Sequence, residues 1–187
     1  MLNYNSPIKE NKNYSDLTIK EIYPVMKLNI RGKKKEFFSN VKKTLNMILP
    51  IEANTSATSD KLTSIWLSPD EWMIFSNDII EKGDNNYELE NLLFSNISKN
   101  NFGSISDVTD QFVMINFEGK KIFELLSSGC PFNFNEFKKK KGASAQTILN
   151  NIDVIIHHKT FNSINLFVKR SFSEHLWSWM NDAASRL

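Results

Sequence analysis

The order in which two hydrophobic periods follow one another limits what this chain can fold into. Residues 26–31 alternate between apolar and polar side chains, which is the period of a half-buried strand. The apolar face comprises Met26, Leu28 and Ile30, and the polar face comprises Lys27, Asn29 and Arg31. A spacing of three and four residues then predicts an amphipathic helix that must end near Pro50. The apolar face of this helix comprises Phe37, Val41, Leu45 and Ile48.

A hairpin and a second helix follow in the first half of the chain. The segments LTSIWL and EWMIFS are joined by Ser-Pro-Asp at residues 68–70, and proline at the second position of a type I turn predicts a β-hairpin. The polar segment IEANTSATSD before it is predicted as a loop. Residues 86–99 have helical spacing, and SISDVTDQF leads into another extended segment. The resulting order, β-α-β-β-α-β, is the split βαβ arrangement of ferredoxin-like folds.

The strand and helix order restarts in the second half. QFVMINF predicts a strand, and KKIFELLSSG predicts a short helix with Gly129 as its left-handed stop. After the turn-rich segment CPFNFNEFKKKKGAS come three short strand candidates, AQTILN, IDVIIHH and SINLFVK. Ser171 and Glu174 have capping-box spacing, which predicts a terminal amphipathic helix over about residues 171–184. Its predicted apolar face comprises Phe172, Leu176, Met180 and Ala183.

These segments predict an α+β fold built from tandem ferredoxin-like (split βαβ) units. The predicted compact domain covers residues 21–187, either as a single unit or as two halves at about 21–110 and 111–187. Residues 1–20 are rich in Asn, Lys and Ser with scattered apolar residues. We therefore expect them to form an extended N-terminal arm that has no core of its own.

Composition excludes several classes of protein. The net charge is +2 and is spread along the chain, which argues against nucleic acid as the partner. No segment has the length and apolar character of a membrane span, and the first residues do not resemble a secretory signal, so we expect a cytoplasmic protein that does not bind membranes. Cys130 is the only cysteine, which excludes an internal disulfide and fits a reducing compartment.

Recognisable catalytic or metal-binding motifs do not occur in the sequence. Neither of the glycine-rich phosphate-binding patterns is found. The histidines are His157, His158 and His175, and because the first two are adjacent in a predicted strand they point to opposite faces and do not favour a shared metal. Cys130 follows a predicted helix C-terminus, where the helix dipole disfavours a thiolate, so we expect a buried, inert thiol.

One pair of carboxylates allows two interpretations. Asp107 and Asp110 flank Val108 and Thr109, and two close carboxylates could act as an acid and a base. The same pattern is also how turns and strand ends satisfy their backbone groups. The second interpretation is the one we favour.

Two groups of residues are candidates for contact with another protein. The run Lys138–Lys141 is either a solvated loop or a contact to an acidic partner surface. The tryptophans are interface candidates because tryptophan is enriched at interface hot spots. They are Trp66, Trp72, Trp177 and Trp179, and the last two lie about 200° apart on the terminal helix, so they cannot both face one core.

Several phrases, taken in order, resemble the gamma subunit family of heterotetrameric sarcosine oxidases. They are WLSPDEWMIF, SDVTDQFVMINFEG, ELLSSGCPFNF, AQTILNNIDVIIHH and FVKRSFSEHLWSWMNDA, and they cover roughly residues 60–185. Residues 9–60 contribute little to the resemblance. The lysine run departs from the family pattern, which usually has a short link with proline and glycine at this point, so the resemblance implies nothing about contacts of this loop.

The resemblance implies membership of a four-subunit flavoenzyme. That enzyme oxidatively demethylates sarcosine to glycine, forms 5,10-methylenetetrahydrofolate from tetrahydrofolate and reduces oxygen to hydrogen peroxide. FAD, FMN, NAD and the folate site are expected in the alpha and beta partner subunits, and zinc in the delta subunit. No cofactor, metal or catalytic residue is expected in the gamma subunit, whose fold is similar to the folate-binding domain of aminomethyltransferases.

Two functions of different kinds therefore remain. The first is a structural and assembly subunit that contacts the alpha, beta and delta subunits. The alternative is a free-standing folate-binding protein of aminomethyltransferase-like fold, for which Asp107 or Asp110 would be the acidic residue at the pterin. A nucleic-acid-binding module is the weakest interpretation, because the sequence lacks both aromatic RNP-type motifs and a basic face.

Overall fold

The computed structural model describes residues 5–8, 11–22, 24–59, 61–77 and 87–187. The strands in these residues are β1 (Lys12–Tyr14), β2 (Leu17–Ile22), β3 (Lys27–Arg31), β4 (Ser56–Thr58), β5 (Leu62–Ser68), β6 (Glu71–Ser76), β7 (Ser104–Asp107), β8 (Phe112–Gly119), β9 (Ser144–Leu149), β10 (Ile152–Thr160) and β11 (Ser163–Lys169). The helices are α1 (Lys35–Leu45), α2 (Glu88–Leu93), α3 (Ile122–Ser127), α4 (Phe134–Phe137) and α5 (Arg170–Ala184), and a π-helical turn at Phe94–Ser98 follows α2. No helix of the described part is long and apolar enough to span a membrane.

The chain divides into two compact units, and the described residues of the first lie within Pro24–Asp110. Its antiparallel sheet has the order β4-β5-β6-β3-β7, so that β3, α1, β5, β6, α2 and β7 follow the predicted split βαβ order. β4 is an additional edge strand within the segment that was predicted as a loop. The core brings the apolar faces of α1 and α2 onto one face of the sheet, where Phe37, Val41 and Leu93 belong to the same buried cluster as Leu28 and Ile74.

The second unit comprises Tyr4–Tyr23 and Gln111–Leu187. Its antiparallel sheet has the order β1-β2-β8-β11-β10-β9, which includes the three predicted strands β9, β10 and β11. The core cluster joins residues of α3 and α5 to one face of the sheet, as the predicted α+β fold requires. Apolar residues at this face include Val113, Ile115, Phe117, Leu166 and Met180.

The prediction of an extended arm over residues 1–20 is wrong for the described part of that segment. β2 pairs with β8 from Leu17 opposite Gly119 to Ile22 opposite Met114. Leu17 and Ile19 are buried at the same face. The period-2 pattern of LTIKEI is short and lies among polar residues, so its local signal is weak, and pairing with a central strand decides its conformation.

Two helix boundaries also differ from the prediction. α1 ends at Leu45 instead of near Pro50, because Asn46 adopts a left-handed conformation (φ 49°), and Ile48 is consequently 68% exposed. α5 begins at Arg170 without a side-chain cap, so the predicted capping box does not form. Phe172 is therefore exposed, and Ser173 takes the first inward position, where its Oγ donates to Arg170 O at 2.7 Å.

Gly129 is not the left-handed stop that the sequence suggests. The glycines with positive φ in the described residues are Gly119 and Gly142, and Gly129 is not among them. A Cβ at Gly129 would lie 2.4 Å from Cη2 of Trp179, a distance at which one of the two groups must move. A glycine is needed at this position because the indole of Trp179 packs directly against the backbone of Gly129.

Replacing Gly129 with alanine therefore tests a close approach of ring and backbone. We expect Gly129→Ala to lower the free energy of unfolding by about 1–3 kcal/mol in the wild-type background, the usual cost of overpacking. In a Trp179→Leu background, which removes the indole, the same substitution should cost much less. Urea unfolding of the four chains measures both costs, and equal costs in the two backgrounds would contradict the proposed contact.

Candidate functional site

Asp107 and Asp110 serve a turn in this structure. Oδ1 of Asp107 accepts a hydrogen bond from the backbone N–H of Thr109 at 2.8 Å, the geometry of an Asx turn. Oγ1 of Thr109 in turn accepts from the backbone N–H of Lys27 at 3.0 Å. Asp110 is exposed at the end of the first unit. This arrangement matches the turn interpretation.

Lys27 departs from its predicted position on the polar face of β3. Its side chain is only 2% exposed, and Nζ donates to the carbonyl oxygens of Val25 and Thr109, each at 3.1 Å. A buried ammonium must have such partners, since burying it without them costs far more than the fold can recover. The alternation of residues 26–31 could not reveal this, because a lysine at a strand position is normally solvated.

The histidines lie apart, as their sequence positions indicate. His158 packs its ring between Phe123 and Phe137, whereas His157 is on the opposite face of β10, and His175 is exposed on α5. Among the described residues, no group of three His, Cys, Asp or Glu side chains could hold a metal ion. Burial, together with the like charges of His158 and Lys159, lowers the pKa of His157 to about 4.

The low pKa of His157 makes stability depend on pH in one direction. Below its usual pKa of about 6.5 the unfolded chain binds a proton at this position, whereas the folded chain does so only below about 4. Titration of His157 therefore leaves the free energy of unfolding unchanged above about pH 6.5. As the pH is lowered from there towards 4, this titration lowers the free energy of unfolding, by about 3 kcal/mol in total.

His157→Gln should flatten this part of the stability profile. His175→Gln is the matched control, because it makes the same substitution at an exposed position. Urea unfolding at a series of pH values between about 7 and 4 measures the slope for each variant. Equal slopes in the wild type and in His157→Gln would contradict burial of a neutral histidine.

Cys130 lies in the core of the second unit. Its side chain is 8% exposed, and Sγ is 3.6 Å from Oγ1 of Thr147. The residue belongs to the cluster that contains Phe134 and Leu149. This is the position of a packing residue, which is what the sequence predicted for the thiol.

Two of the predicted interface tryptophans are core residues of their own units. Trp72 is 1% exposed, stacks on Phe37 with ring centroids 5.8 Å apart, and donates from Nε1 to Pro50 O at 2.7 Å. Trp177 is 9% exposed within the core that contains Leu176 and Met180. Little of either side chain is accessible, and the interface prediction for these two residues stays a prediction.

Trp66 and Trp179 keep part of their surface accessible. Trp66 lies opposite Trp72 across the β5–β6 hairpin and is partly buried. Trp179 is also partly buried, against the core of the second unit. The interface prediction for these two residues stays a prediction. The angular separation of Trp177 and Trp179 does not keep Trp179 away from this core, because Trp177 is buried in the core and Trp179 packs against the same cluster.

The segment after Cys130 contains a functional candidate that the sequence only partly indicates. It was predicted as a turn-rich link, but it forms the short helix α4, capped by Asn133, whose side chain accepts a hydrogen bond from the backbone N–H of Asn135 at 3.0 Å. Aromatic rings pack against one another around this helix, most of them edge to face. They belong to Phe123, Phe132, Phe134 and Phe137.

The lysine loop, residues 138–141, follows α4, and all four of its side chains are exposed. The buried side chain of His158 fixes the backbone of this loop by hydrogen bonds. Nδ1 of His158 lies 3.1 Å from Phe137 O and 2.9 Å from Lys140 O, and because both partners are carbonyls, Nδ1 must carry the proton. The backbone N–H of Gly142 donates to His158 O at 2.8 Å, and that of His158 donates to Ala143 O at 2.9 Å.

A shallow depression of about 530 Å³ lies on the second unit. Its polar lining consists of Gln146, Thr147, Asp153 and Lys169, and its apolar lining includes Ile155 and Phe167. Asp107 and Asp110, which the folate-binding alternative would need, do not line it. The acidic side chain at this depression is Asp153, which the sequence gave no reason to single out.

Comparison with known proteins gives the class of this chain. The profile of the sarcosine oxidase gamma subunit family matches residues 31–186. The chain belongs to this family, since the match covers most of its length, and the resemblance seen in the sequence is thereby confirmed. The match also includes about half of the stretch between residues 9 and 60 that contributed little to the resemblance.

Solved structures show the same fold. The chain is similar to a chain of the heterotetrameric sarcosine oxidase from Corynebacterium sp. U-96 in complex with pyrrole 2-carboxylate, with 21% identity, a TM-score of 0.80, and coverage of 91% of this chain and 84% of that chain. It is also similar to glycine cleavage system aminomethyltransferase T from Bartonella henselae, with 14% identity, a TM-score of 0.61, and coverage of 89% of this chain and 45% of that chain. A search of curated proteins gives no match. The aminomethyltransferase-like α+β fold predicted from the sequence is confirmed.

Proposed function

We propose that this chain is the gamma subunit of a heterotetrameric sarcosine oxidase and that it supports assembly of the complex without taking part in catalysis. The observation that carries the proposal is the family match over residues 31–186. The fold shared with a chain of a heterotetrameric sarcosine oxidase supports it. The reaction of the complex would be the oxidative demethylation of sarcosine to glycine, with formation of 5,10-methylenetetrahydrofolate and hydrogen peroxide.

The partners and cofactors follow from the same proposal. The chain would assemble in the cytoplasm with the alpha, beta and delta subunits, which would hold FAD, FMN, NAD, tetrahydrofolate and zinc. A non-catalytic role is supported by the structural contacts that the chain's own reactive side chains make. Asp107 is engaged in a turn, Cys130 packs in a core and His158 fastens a loop, so each has a structural task.

Co-expression tests the assembly role directly. A tagged form of the chain is expressed with the other three subunits, purified by the tag and examined by absorbance and sedimentation. We expect a yellow complex with three companions, and a colourless product when the chain is expressed alone. A chain that purifies as a stable monomer and binds tetrahydrofolate would contradict the proposal and support the folate-binding alternative.

Substitution of the two carboxylates tests whether the chain contributes to the chemistry. Asp107→Asn keeps the oxygen that accepts from Thr109, and Asp110→Asn changes an exposed side chain, so both variants should fold and assemble. We expect kcat of the purified complex to stay within about twofold of wild type. Loss of a general acid or base would lower kcat by about 100-fold or more, and such a loss would show that the carboxylates act in catalysis.

A further inference from the structure

We infer that the lysine loop, together with Phe161, is a preorganised docking surface for an acidic patch on a partner subunit. The inference rests on the proposed function, because it takes the partner to be another subunit of the complex. It goes beyond that function by naming the surface, the charge of its counterpart and the residue that fixes its shape. Neither the family match nor the shared fold identifies this surface.

The first observation is the number of like charges held at one place. Residues 138–141 are four consecutive lysines, and all four are exposed. Lys139 pairs with Glu136 at 2.6 Å, and both side chains of that pair are largely exposed, at 64% and 86%. Adjacent lysines repel one another, and a flexible loop would relieve this repulsion by spreading them apart. Here they are kept in a compact turn instead.

The second observation is the anchor of that turn. His158 is completely buried, its Nδ1–H bridges the carbonyl oxygens of Phe137 and Lys140, and its Nε2 has no hydrogen-bond partner in the described part of the chain. A buried polar atom without a partner destabilises the fold. The ring nevertheless fixes the backbone on both sides of Lys138 and Lys139. A surface fixed before binding loses less conformational entropy when a partner arrives.

The third observation is an exposed aromatic ring beside the loop. Phe161 is 68% exposed, and its ring centroid is 6.1 Å from that of His158. An apolar aromatic side chain next to a rim of charges is the usual arrangement of a protein interface. Glu136 lies at the same surface, and its carboxylate would repel a continuous polyanion. The partner that fits this mixture is a protein with acidic residues around an apolar contact, not nucleic acid or an anionic membrane.

A competition experiment tests this surface in the complex itself. Wild-type and variant chains with different tags are expressed together with the other three subunits, and mass spectrometry measures the ratio of the two chains in the purified complex, normalised to their total expression. The variant replaces Lys138–Lys141 with glutamine. We expect it to be depleted about tenfold, because rim charges govern association with an oppositely charged surface.

A matched control separates local charge from net charge. Its four exposed lysines lie in the first unit, and replacing them with glutamine changes the net charge equally; they are Lys35, Lys42, Lys43 and Lys99. This control should be incorporated as well as wild type. Equal incorporation of the lysine-loop variant and the wild type would overturn the inference and leave the proposed function intact. Depletion of the control to the same extent as the lysine-loop variant would have the same meaning. If wild-type chain fails to join any subunit, the proposed function itself is wrong, and the inference fails with it.

Two further variants test the anchor and the aromatic ring. His158→Phe keeps a ring that can pack on Phe137 but removes both hydrogen bonds, so amide exchange in residues 138–142 should accelerate and incorporation should fall about threefold with all lysines present. Phe161→Ser should reduce incorporation, whereas Phe172→Ser, on exposed Phe172 of α5, should not. Faster exchange without a change in incorporation would overturn the role of preorganisation.

A separate binding experiment tests whether the lysine loop binds an anionic membrane or nucleic acid instead of an acidic protein. The full-length chain is mixed with vesicles that contain phosphatidylserine and, separately, with duplex DNA. We expect no binding that depends on residues 138–141. If the glutamine variant loses binding to either probe while it enters the complex as well as wild type does, the surface serves that polyanion, and the assignment to an acidic protein is wrong.

Discussion

The second unit depends on β8, because this strand is paired along both edges. β2 pairs with one edge and β11 with the other, so every backbone polar group in the middle of β8 can be satisfied within the sheet. Its inward side chains, Val113, Ile115 and Phe117, are at most 1% exposed and form the sheet face against which α3 and α5 pack. The N-terminal strands and the C-terminal helix therefore meet on one element, although they are at opposite ends of the sequence.

Sequence patterns predicted the elements whose periodicity is long or whose turn is explicit. The β5–β6 hairpin follows from the Ser-Pro-Asp turn at residues 68–70, and β8, β10 and β11 follow from dense β-branched and aromatic runs. The errors occur where a single residue or a distant partner decides. Asn46 ends α1 by its left-handed backbone, and β2 is ordered by its pairing with β8. Neither interaction leaves a periodic signal in the sequence.

The candidate site was predictable in its composition but not in its geometry. Four adjacent lysines are visible in the sequence, whereas their attachment to His158 depends on a strand that returns beneath the loop about twenty residues later. The tryptophans show the same limit. All four could have met a partner, yet Trp72 and Trp177 are buried in their own cores, because packing space, which sequence spacing does not report, decides which indole is covered.

The two buried histidines of the second unit are placed differently from a general acid or base. A general acid or base must reach a substrate with its titrating atom, and its pKa should lie near the working pH. His157 fails on both counts, because it is buried and its pKa is lowered to about 4. His158 is also completely buried, and its protonated nitrogen is already used by two carbonyl oxygens. His158 instead fixes the backbone of the loop that carries the exposed lysines, and this is the interaction on which the inferred docking surface depends.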